Sequence, residues 1–210
     1  MYFETAHGKV GISDAMKGKM SNMLAISTSP LLNKNCQKNC KIENSICQKC
    51  YSIVSNKMYP RLRAMIERNT EILSNNILSK VEIPFINHTI FRFEAHGDIN
   101  NAKQLQNYVN IAKANKHVVF ALWTKQYKIV EKFFNKVSKP KNFVLIYSSL
   151  MKNVELKLKN FKHVDKIFTV YSKDYIAEKN ITINCGAKSC ITCRTCYKKG
   201  GAKYIREQLK

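Results

Sequence analysis

The chain has 210 residues, of which 45% are hydrophobic and 24% are charged, so it fits one globular domain and excludes wholesale disorder, collagen and coiled coil. No apolar run reaches the length of a membrane-spanning helix, and residues 1–10 lack the pattern of a signal peptide, so we expect a cytoplasmic protein with no membrane partner. The net charge of +22, from 36 Lys and Arg against 14 Asp and Glu, favours polyanionic partners such as nucleic acid or nucleotides.

The N-terminal part of the chain contains few clear elements. One or two strands are expected around residues 20–28, ahead of a polar, turn-rich segment at 33–50 that holds four cysteines. Residues 59–80 are predicted to form a helix, because apolar residues recur near the helical period and Pro60 suits a first turn. This part is therefore expected to supply a cysteine-bearing loop beside a helix.

Strands and helices alternate in the rest of the chain. The predicted strands cover residues 89–94, 117–123, 142–148 and 166–171. The segments between them are predicted helices at 101–115 and 126–137 and a short amphipathic segment at 154–161. Such alternation indicates βαβ units and a parallel sheet. Because a complete eight-fold barrel needs about 250 residues, the predicted fold class is α/β, a partial (β/α) barrel of about five or six parallel strands, with a small open doubly wound sheet as the alternative.

Eight cysteines fall into two groups of four. The N-terminal group consists of Cys36, Cys40, Cys47 and Cys50, and the C-terminal group of Cys185, Cys190, Cys193 and Cys196. In a cytoplasmic protein, groups this close indicate metal sites rather than disulfides. We expect residues 1–180 to form the barrel, including the cysteine loop at 36–50, and residues 181–210 to form a cluster-binding segment.

The spacing of the C-terminal group favours a 4Fe–4S cluster. Cys190, Cys193 and Cys196 follow one another with two-residue spacers, as in bacterial ferredoxins. Zinc, whose sites usually draw on two separate Cys-x2-Cys pairs, is the alternative. The N-terminal group allows two arrangements: all four thiols close a cluster or zinc site, or three bind and leave one metal position open, which is the mark of a catalytic site.

The predicted strands end in polar or aromatic residues, and the carboxyl ends of parallel strands meet at one edge of a sheet. The candidates for this rim are Glu94, His96, Gly97, Asp98, Trp123 and Ser148. Glu94, His96 and Asp98 alternate, so we expect them to share one face and to act as acid or base; the alternative is that they bind backbone donors at the turn.

Two further residues near these strand ends are informative. Arg92 lies two residues before Glu94 on the same predicted strand, so we expect both side chains to face the interior of the barrel. An unpaired charge is costly there, so Arg92 is expected to pair with Glu94 or Asp98 or to bind a carboxylate or phosphate. Trp123, the only tryptophan, is a candidate for stacking on adenine or another base, or for plugging the barrel.

The order of motifs resembles a known family over nearly the full length. The motifs are Lys-Met-Ser-Asn from Lys19, Ile-Ser-Thr-Ser-Pro from Ile26, Cys40-x6-Cys47-x2-Cys50-Tyr51, Gly97-Asp98, Trp123-Thr124-Lys125 and the closing cysteines from Cys185 to Tyr197. The chain is similar in these motifs to the phage gene product 88 family, and it looks like a divergent radical S-adenosylmethionine (radical SAM) protein.

The resemblance implies a partial barrel with a 4Fe–4S cluster on Cys40, Cys47 and Cys50, whose fourth iron takes the amino and carboxylate groups of SAM. One electron then cleaves SAM to a 5′-deoxyadenosyl radical, so a reductant such as flavodoxin or ferredoxin is an implied partner. Gly97 and Asp98 fall where the family meets the SAM amino group, and Trp123 and Ser148 are further candidates for cofactor contact. The C-terminal group would hold an auxiliary cluster. A phage-encoded chain would act in the host cytoplasm.

The sequence departs from the common radical SAM pattern at the N-terminal group. The spacer between Cys40 and Cys47 is six residues instead of three, and Lys49 replaces the aromatic residue before the last cysteine. Cys36 stands four residues before Cys40, and if it binds the same cluster no iron is open to SAM.

Three functions follow as expectations. The first is a radical SAM-type iron–sulfur enzyme that modifies a nucleotide or nucleic acid. The alternative is a basic nucleic-acid-binding or regulatory protein with purely structural iron–sulfur or zinc sites. The third is an electron carrier with two ferredoxin-like clusters.

Overall fold

The computed structural model describes residues 1–15 and 17–209, which form a mixed α/β structure. The strands are β1 (Tyr2–Thr5), β2 (Gly8–Gly11), β3 (Ser13–Asp14), β4 (Leu24–Ile26), β5 (Ile90–Phe93), β6 (Val119–Thr124), β7 (Phe143–Ser148), β8 (Lys166–Tyr171) and β9 (Tyr204–Gln208). The helices are α1 (Lys34–Cys40), α2 (Tyr51–Met58), α3 (Pro60–Asn75), α4 (Ala102–Ala114), α5 (Tyr127–Phe134), α6 (Lys173–Lys179) and α7 (Cys190–Cys193).

The strand order of the main sheet follows the order of the chain. Within the described residues, β3 to β9 form a seven-stranded sheet in which β3 is antiparallel to β4 and every other pair is parallel. The α/β class and the mostly parallel sheet are therefore confirmed. The doubly wound alternative is wrong, because that arrangement needs a reversal of strand order and this sheet has none. β3 and β9 are the edges of the sheet, which is open across the residues described.

The two faces of the sheet have different coverings. Side chains alternate along β6, so Phe120 and Leu122 pack into one apolar cluster while Ala121 and Trp123 belong to another. The first cluster holds side chains of α3, α4 and α5, which cover that face. When the strand order of a parallel sheet follows the chain and every crossover connection has the same hand, the connecting helices all lie on the same face of the sheet.

The C-terminal cysteine segment covers the opposite face. Ile90, Val144 and Ile205 form an apolar cluster there with Tyr197, and three of the C-terminal cysteines pack against it. β9 then adds in parallel to β8, with Ile205 opposite Phe168. Residues 181–209 are thus part of the same sheet and core as the rest of the chain, and Lys210 lies outside the described residues.

Several elements differ from the sequence-based expectations. The helix predicted over 59–80 ends at Asn75, since Asn76 has extended backbone angles. The segment at 33–50 contains the helix α1 where a loop was expected, and the C-terminal tail forms β9. The segment at 154–161 contains only a 3-10 turn at Leu158–Asn160. No helix among the described residues is long and apolar enough to span a membrane.

Asn69 joins α3 to the N-terminal strands, and its removal tests how far this junction stabilises the fold. Its side chain is fully buried, accepts a hydrogen bond from the Gly11 amide at 2.7 Å, and donates to the carbonyl oxygens of Gly11 and Ser27. Asn69→Ala leaves these backbone groups without partners, so we expect the free energy of unfolding to fall by about 2–4 kcal/mol in urea denaturation. Asn75→Ala, on the exposed end of the same helix, is the control and should change it by less than about 0.5 kcal/mol.

Candidate functional site

Both cysteine groups line a single cavity of about 870 Å³. The cavity is bounded by the N-terminal cysteine loop, by the ends of the central strands and by the C-terminal segment. Predicted rim residues that line it are Glu94, His96, Gly97, Asp98, Trp123 and Ser148. The fold therefore brings together two cysteine groups that are far apart in the sequence.

Asn33 fixes the start of the N-terminal cysteine helix. Its Oδ1 accepts hydrogen bonds from the amides of Asn35 and Cys36, which caps α1. Its Nδ2 donates to the carbonyl oxygen of Asp98 at 2.9 Å and also contacts that of Ile99. One fully buried side chain thus attaches the cysteine helix to the loop after β5.

The rest of the N-terminal loop is held by the ends of neighbouring strands. The Ile46 amide donates to the carbonyl oxygen of Leu150 at 2.9 Å, and Ser45 forms an isolated antiparallel bridge with Met151. The hydroxyl of Tyr51, which follows Cys50, donates to the carbonyl oxygen of Ala95. The loop therefore lies at the carboxyl ends of the parallel strands, as expected.

The N-terminal thiols do not share one environment. Burial raises the pKa of Cys47 to about 11, Lys125 opposes this shift, and Cys50 and Cys40 add to it. Burial also raises the pKa of Cys36, but the next largest contribution comes from Asp98. The charge of Cys47 also raises the pKa of Cys36, so Cys36 is coupled to this group as well, although less strongly than to Asp98 in the loop after β5.

The C-terminal group is attached to the loop before β4 through Lys19. The Nζ of Lys19 donates to the Sγ and the carbonyl oxygen of Cys185, each at 3.1 Å, and pairs with Glu207 at 2.8 Å. Its carbonyl oxygen accepts a hydrogen bond from the Cys190 amide at 2.8 Å. A single residue therefore binds two of the four cysteines, one through its side chain and one through its backbone.

The donor set fits iron–sulfur clusters or zinc in type and number. All eight cysteines are free thiols of intermediate exposure. Thiolates are soft ligands that select zinc, copper(I) and iron–sulfur clusters. Across residues 1–15 and 17–209, no three Cys, His, Asp or Glu side chains already lie close enough to hold one metal ion. Because burial raises the pKa of most of these thiols, metal binding would have to release their protons.

Glu94 lines the same cavity as Arg92, but its side chain turns toward α4 and forms no ion pair with Arg92. Its φ of +59° is left-handed and interrupts the strand alternation. The Glu94 carboxylate is buried and accepts hydrogen bonds from Gln104 and Tyr108 of α4 and from Thr28. Burial raises the pKa of Glu94 to about 8 despite these donors. Arg92 reaches only the backbone carbonyl oxygen of Glu94.

Asp98 and His96 point to different partners. The Asp98 carboxylate accepts hydrogen bonds from the Thr124 hydroxyl and from the amides of Lys125 and Ile99, the arrangement expected of a turn residue. The Nδ1 of His96 lies 3.2 Å from the Ser52 hydroxyl. Burial, followed by the charge of Arg92, lowers the pKa of His96 to about 4, so its ring is neutral at pH 7. The catalytic roles of Glu94, His96 and Asp98 stay predictions.

Trp123 and Ser148 both lie on the cavity side of the sheet. The guanidinium carbon of Arg92 lies 4.2 Å from the centre of the Trp123 ring, and Tyr197 meets that ring edge-on at 6.1 Å. Ser148 is the last residue of β7 and is 4% exposed. Cofactor contact by these two residues stays a prediction.

Two residues that organise the site were missed as candidates. Asn33 carries a readable signal, since Asn commonly caps a helix that begins directly after it. Lys19 begins one of the motifs of the family resemblance, but its contacts with Cys185 and Glu207 could not be read from the sequence, because they join segments more than 160 positions apart. Only the folded chain brings those segments together.

Gly97 is required by close packing against the strand before the cysteine loop. It has a φ of +71°, and an added Cβ would lie 2.3 Å from the carbonyl oxygen of Thr28. Gly97→Ala should lower the free energy of unfolding by about 2 kcal/mol or more, measured by chemical denaturation. Gly186→Ala is the matched control, because nothing lies within 4 Å of its added Cβ. Equal stability of the two variants would contradict the close contact.

Comparison with known proteins gives a family but no described function. A family model described as gene product 88 matches residues 11–208. No curated protein and no solved structure matches the chain. The resemblance to radical SAM proteins therefore stays a prediction. Since the family model covers nearly the whole chain, this protein belongs to the gene product 88 family.

Proposed function

We propose that the protein is an iron–sulfur enzyme of the radical SAM type, with a SAM-binding 4Fe–4S cluster on the N-terminal cysteines and an auxiliary cluster on the C-terminal ones. The observation that carries the proposal is that both cysteine groups line one cavity. Purely structural sites have no need to share a cavity, whereas a substrate bound there would be within reach of both.

The topology of the sheet supports the proposal. Sequential parallel strands with helices on one face are the arrangement of a (β/α) barrel, and six parallel strands, β4 to β9 among the described residues, match the five or six expected of a partial one. In such folds the ligands gather at the carboxyl ends of the strands. The N-terminal cysteine loop is attached at those ends.

The thiol environments support an open cluster. Asp98 and Glu94 come before Cys47 among the charges that raise the pKa of Cys36, whereas other cysteines come before any acidic residue among the charges that raise the pKa of Cys40 and Cys47. Three thiols would then hold the cluster and leave one iron for SAM. Cys36 would lie beside the cluster without binding it.

The chain's own residues would bind SAM and keep the cavity ordered. The chemistry that a bound cluster would supply is the one-electron cleavage of the C5′–S bond of SAM into methionine and a 5′-deoxyadenosyl radical, with a flavodoxin or ferredoxin as the source of the electron. Gly97 lies on the cavity wall, where it packs against the Thr28 backbone. Asp98, whose carboxylate is held by Thr124 and two amides, is the acidic residue of that wall nearest in sequence to Gly97 and would interact with the SAM amino group through a lone pair that these donors leave free. Neutral His96 can accept a proton or a hydrogen bond, since its Nε2 has no partner among the described residues.

Iron analysis and electron paramagnetic resonance (EPR) test the proposal directly. The protein is purified anaerobically, its iron, sulfide and zinc are measured, and EPR spectra of the reduced form are recorded with and without SAM. We expect iron and sulfide for two clusters, a spectrum that shifts with SAM, and 5′-deoxyadenosine when reductant is present. Zinc alone, or clusters indifferent to SAM, would contradict the proposal and favour the basic nucleic-acid-binding alternative that the net charge of +22 suggests.

Cys36 and Cys40 form a matched pair for deciding whether the N-terminal cluster is open. They stand one turn apart on α1, so serine at either position perturbs the same helix. Cys40→Ser should lose the N-terminal cluster and the SAM-dependent EPR shift. Cys36→Ser should keep both, because its thiol lies beside the cluster. If the two variants lose iron equally, all four thiols close the site and no iron is available to SAM.

Lys19 should raise the reduction potential of the C-terminal cluster. A positive N–H donor to a ligand sulfur stabilises the reduced, more negative state. Lys19→Met should therefore lower the midpoint potential of that cluster by about 60 mV, the one-electron equivalent of about 1.4 kcal/mol, in an EPR redox titration. Lys17→Met removes an exposed cavity lysine of the same charge and should leave the potential nearly unchanged. Equal shifts in both variants would mean that only net charge matters.

A further inference from the structure

Arg92 is a half-buried arginine on the cavity wall that has no carboxylate partner among the described residues. Its Nε reaches the carbonyl oxygen of Glu94 at 3.3 Å, and its Nη1 contacts the sulfur of Met20, a weak acceptor. Its Nη2 has no hydrogen-bond partner within the described chain. A buried cation usually needs a full set of acceptors and an opposite charge, so the Arg92 guanidinium is incompletely satisfied.

Arg92 lies on the wall of the cavity that both cysteine groups line. Its guanidinium carbon lies over the ring of Trp123, which in turn meets Tyr197, the residue after Cys196. Its Nε donates to the backbone carbonyl oxygen of Glu94 at the end of β5. A group bound to Arg92 would therefore lie in the cavity that both proposed clusters border.

The cavity as a whole is prepared for an anion. Three of the acidic residues that line it are already engaged: Glu94 with α4, Asp98 with the backbone of the next turn, and the partly exposed Glu207 with Lys19. The fourth, Asp14, is exposed and forms no ion pair among the described residues. Lys49 and Lys125 also line the cavity, and neither pairs with a carboxylate in the part of the chain that the structure describes. The charge available to a ligand is thus positive.

The orientation of Arg92 suits a phosphate. The guanidinium carbon lies over the Trp123 ring, 4.2 Å from its centre, and Nη2, together with the remaining N–H of Nη1, can donate to two oxygens of a phosphate. Trp123 and Tyr197 give the same region an aromatic wall. The cavity volume of about 870 Å³ falls in the range of sites that bind small molecules.

We propose that the cavity binds a phosphorylated nucleoside as substrate, with the Arg92 guanidinium receiving its phosphate. The proposal rests on the proposed function, because it names the substrate class of the same site. A phosphate monoester carries more charge than a carboxylate and makes better use of Arg92, Lys49 and Lys125 together. The competing explanation is that Arg92 only offsets the negative charge of the thiolates, in which case it would contact no ligand.

Calorimetric titration of the anaerobically purified protein separates these explanations. The protein is titrated separately with each of AMP, GMP, CMP and UMP and with the matching nucleoside. The ratio of the two affinities then reports on the phosphate alone. We expect at least one monophosphate to bind about 10- to 100-fold more tightly than its nucleoside. That preference should be lost in Arg92→Gln. It should be retained in Arg61→Gln, which removes the same charge from an exposed position on α3.

Three results would overturn the proposal. They are the absence of any preference for a monophosphate, a preference that survives in Arg92→Gln, and an equal loss in Arg61→Gln. The carboxylate of SAM is a second source of an anion, so the titration is repeated with saturating SAM. If SAM displaces the monophosphate, and if Arg92→Gln weakens the binding of SAM as much as that of the monophosphate, Arg92 binds the cofactor and the substrate assignment is wrong.

Failure of this inference can be distinguished from failure of the proposed function. Iron content and the EPR spectrum are recorded on the same samples, so clusters that respond to SAM without a monophosphate preference would overturn only this inference. If Arg92→Gln fails to give a cooperative thermal transition, Arg92→Lys replaces it. This variant keeps the charge and loses the planar fork, and the monophosphate preference should fall. An undiminished preference in Arg92→Lys would contradict the guanidinium contact.

Discussion

A parallel sheet presents apolar side chains on both faces, and in this chain α3, α4 and α5 cover only one of them. The other face must still be shielded from water. Residues before β4 and the C-terminal cysteine segment supply that cover, with Met23, Tyr197 and Ile205 packed on the central strands. The cavity is a consequence of this arrangement, because irregular segments that cover the sheet fill the space less completely than helices do.

The same constraint explains why the cysteines lie where they do. Irregular segments have few backbone hydrogen bonds of their own, so they depend on side chains such as Asn33 and Lys19 to attach them. These attachments bring partly buried, free thiols to one cavity, but among the described residues they do not by themselves close a metal site. If metal binds there, it would stabilise segments that the apolar core holds only in part, and its binding would be coupled to their folding.

Charge and burial also separate the polar residues of the site into two kinds. Glu94 and Asp98 are buried and hydrogen-bonded by neighbouring side chains and amides, so they hold β4, β5 and β6 together at their carboxyl ends. Arg92 faces the cavity with few acceptors, and its guanidinium rests on Trp123. The first kind makes the cavity wall rigid, and the second leaves it able to interact with a ligand.

The sequence by itself determined the α/β class, the four central strands, the helices between them and the grouping of the cysteines. These features depend on local periodicity and on spacing, which each segment carries within itself. It did not determine the direction of the Glu94 side chain, because a left-handed residue at the end of a strand breaks the alternation of side chains, and the donors that hold this side chain, Thr28, Gln104 and Tyr108, come from other segments. Nor did it determine β9 or the role of Lys19. Both depend on pairing between distant segments, and only the tertiary structure decides which segments meet.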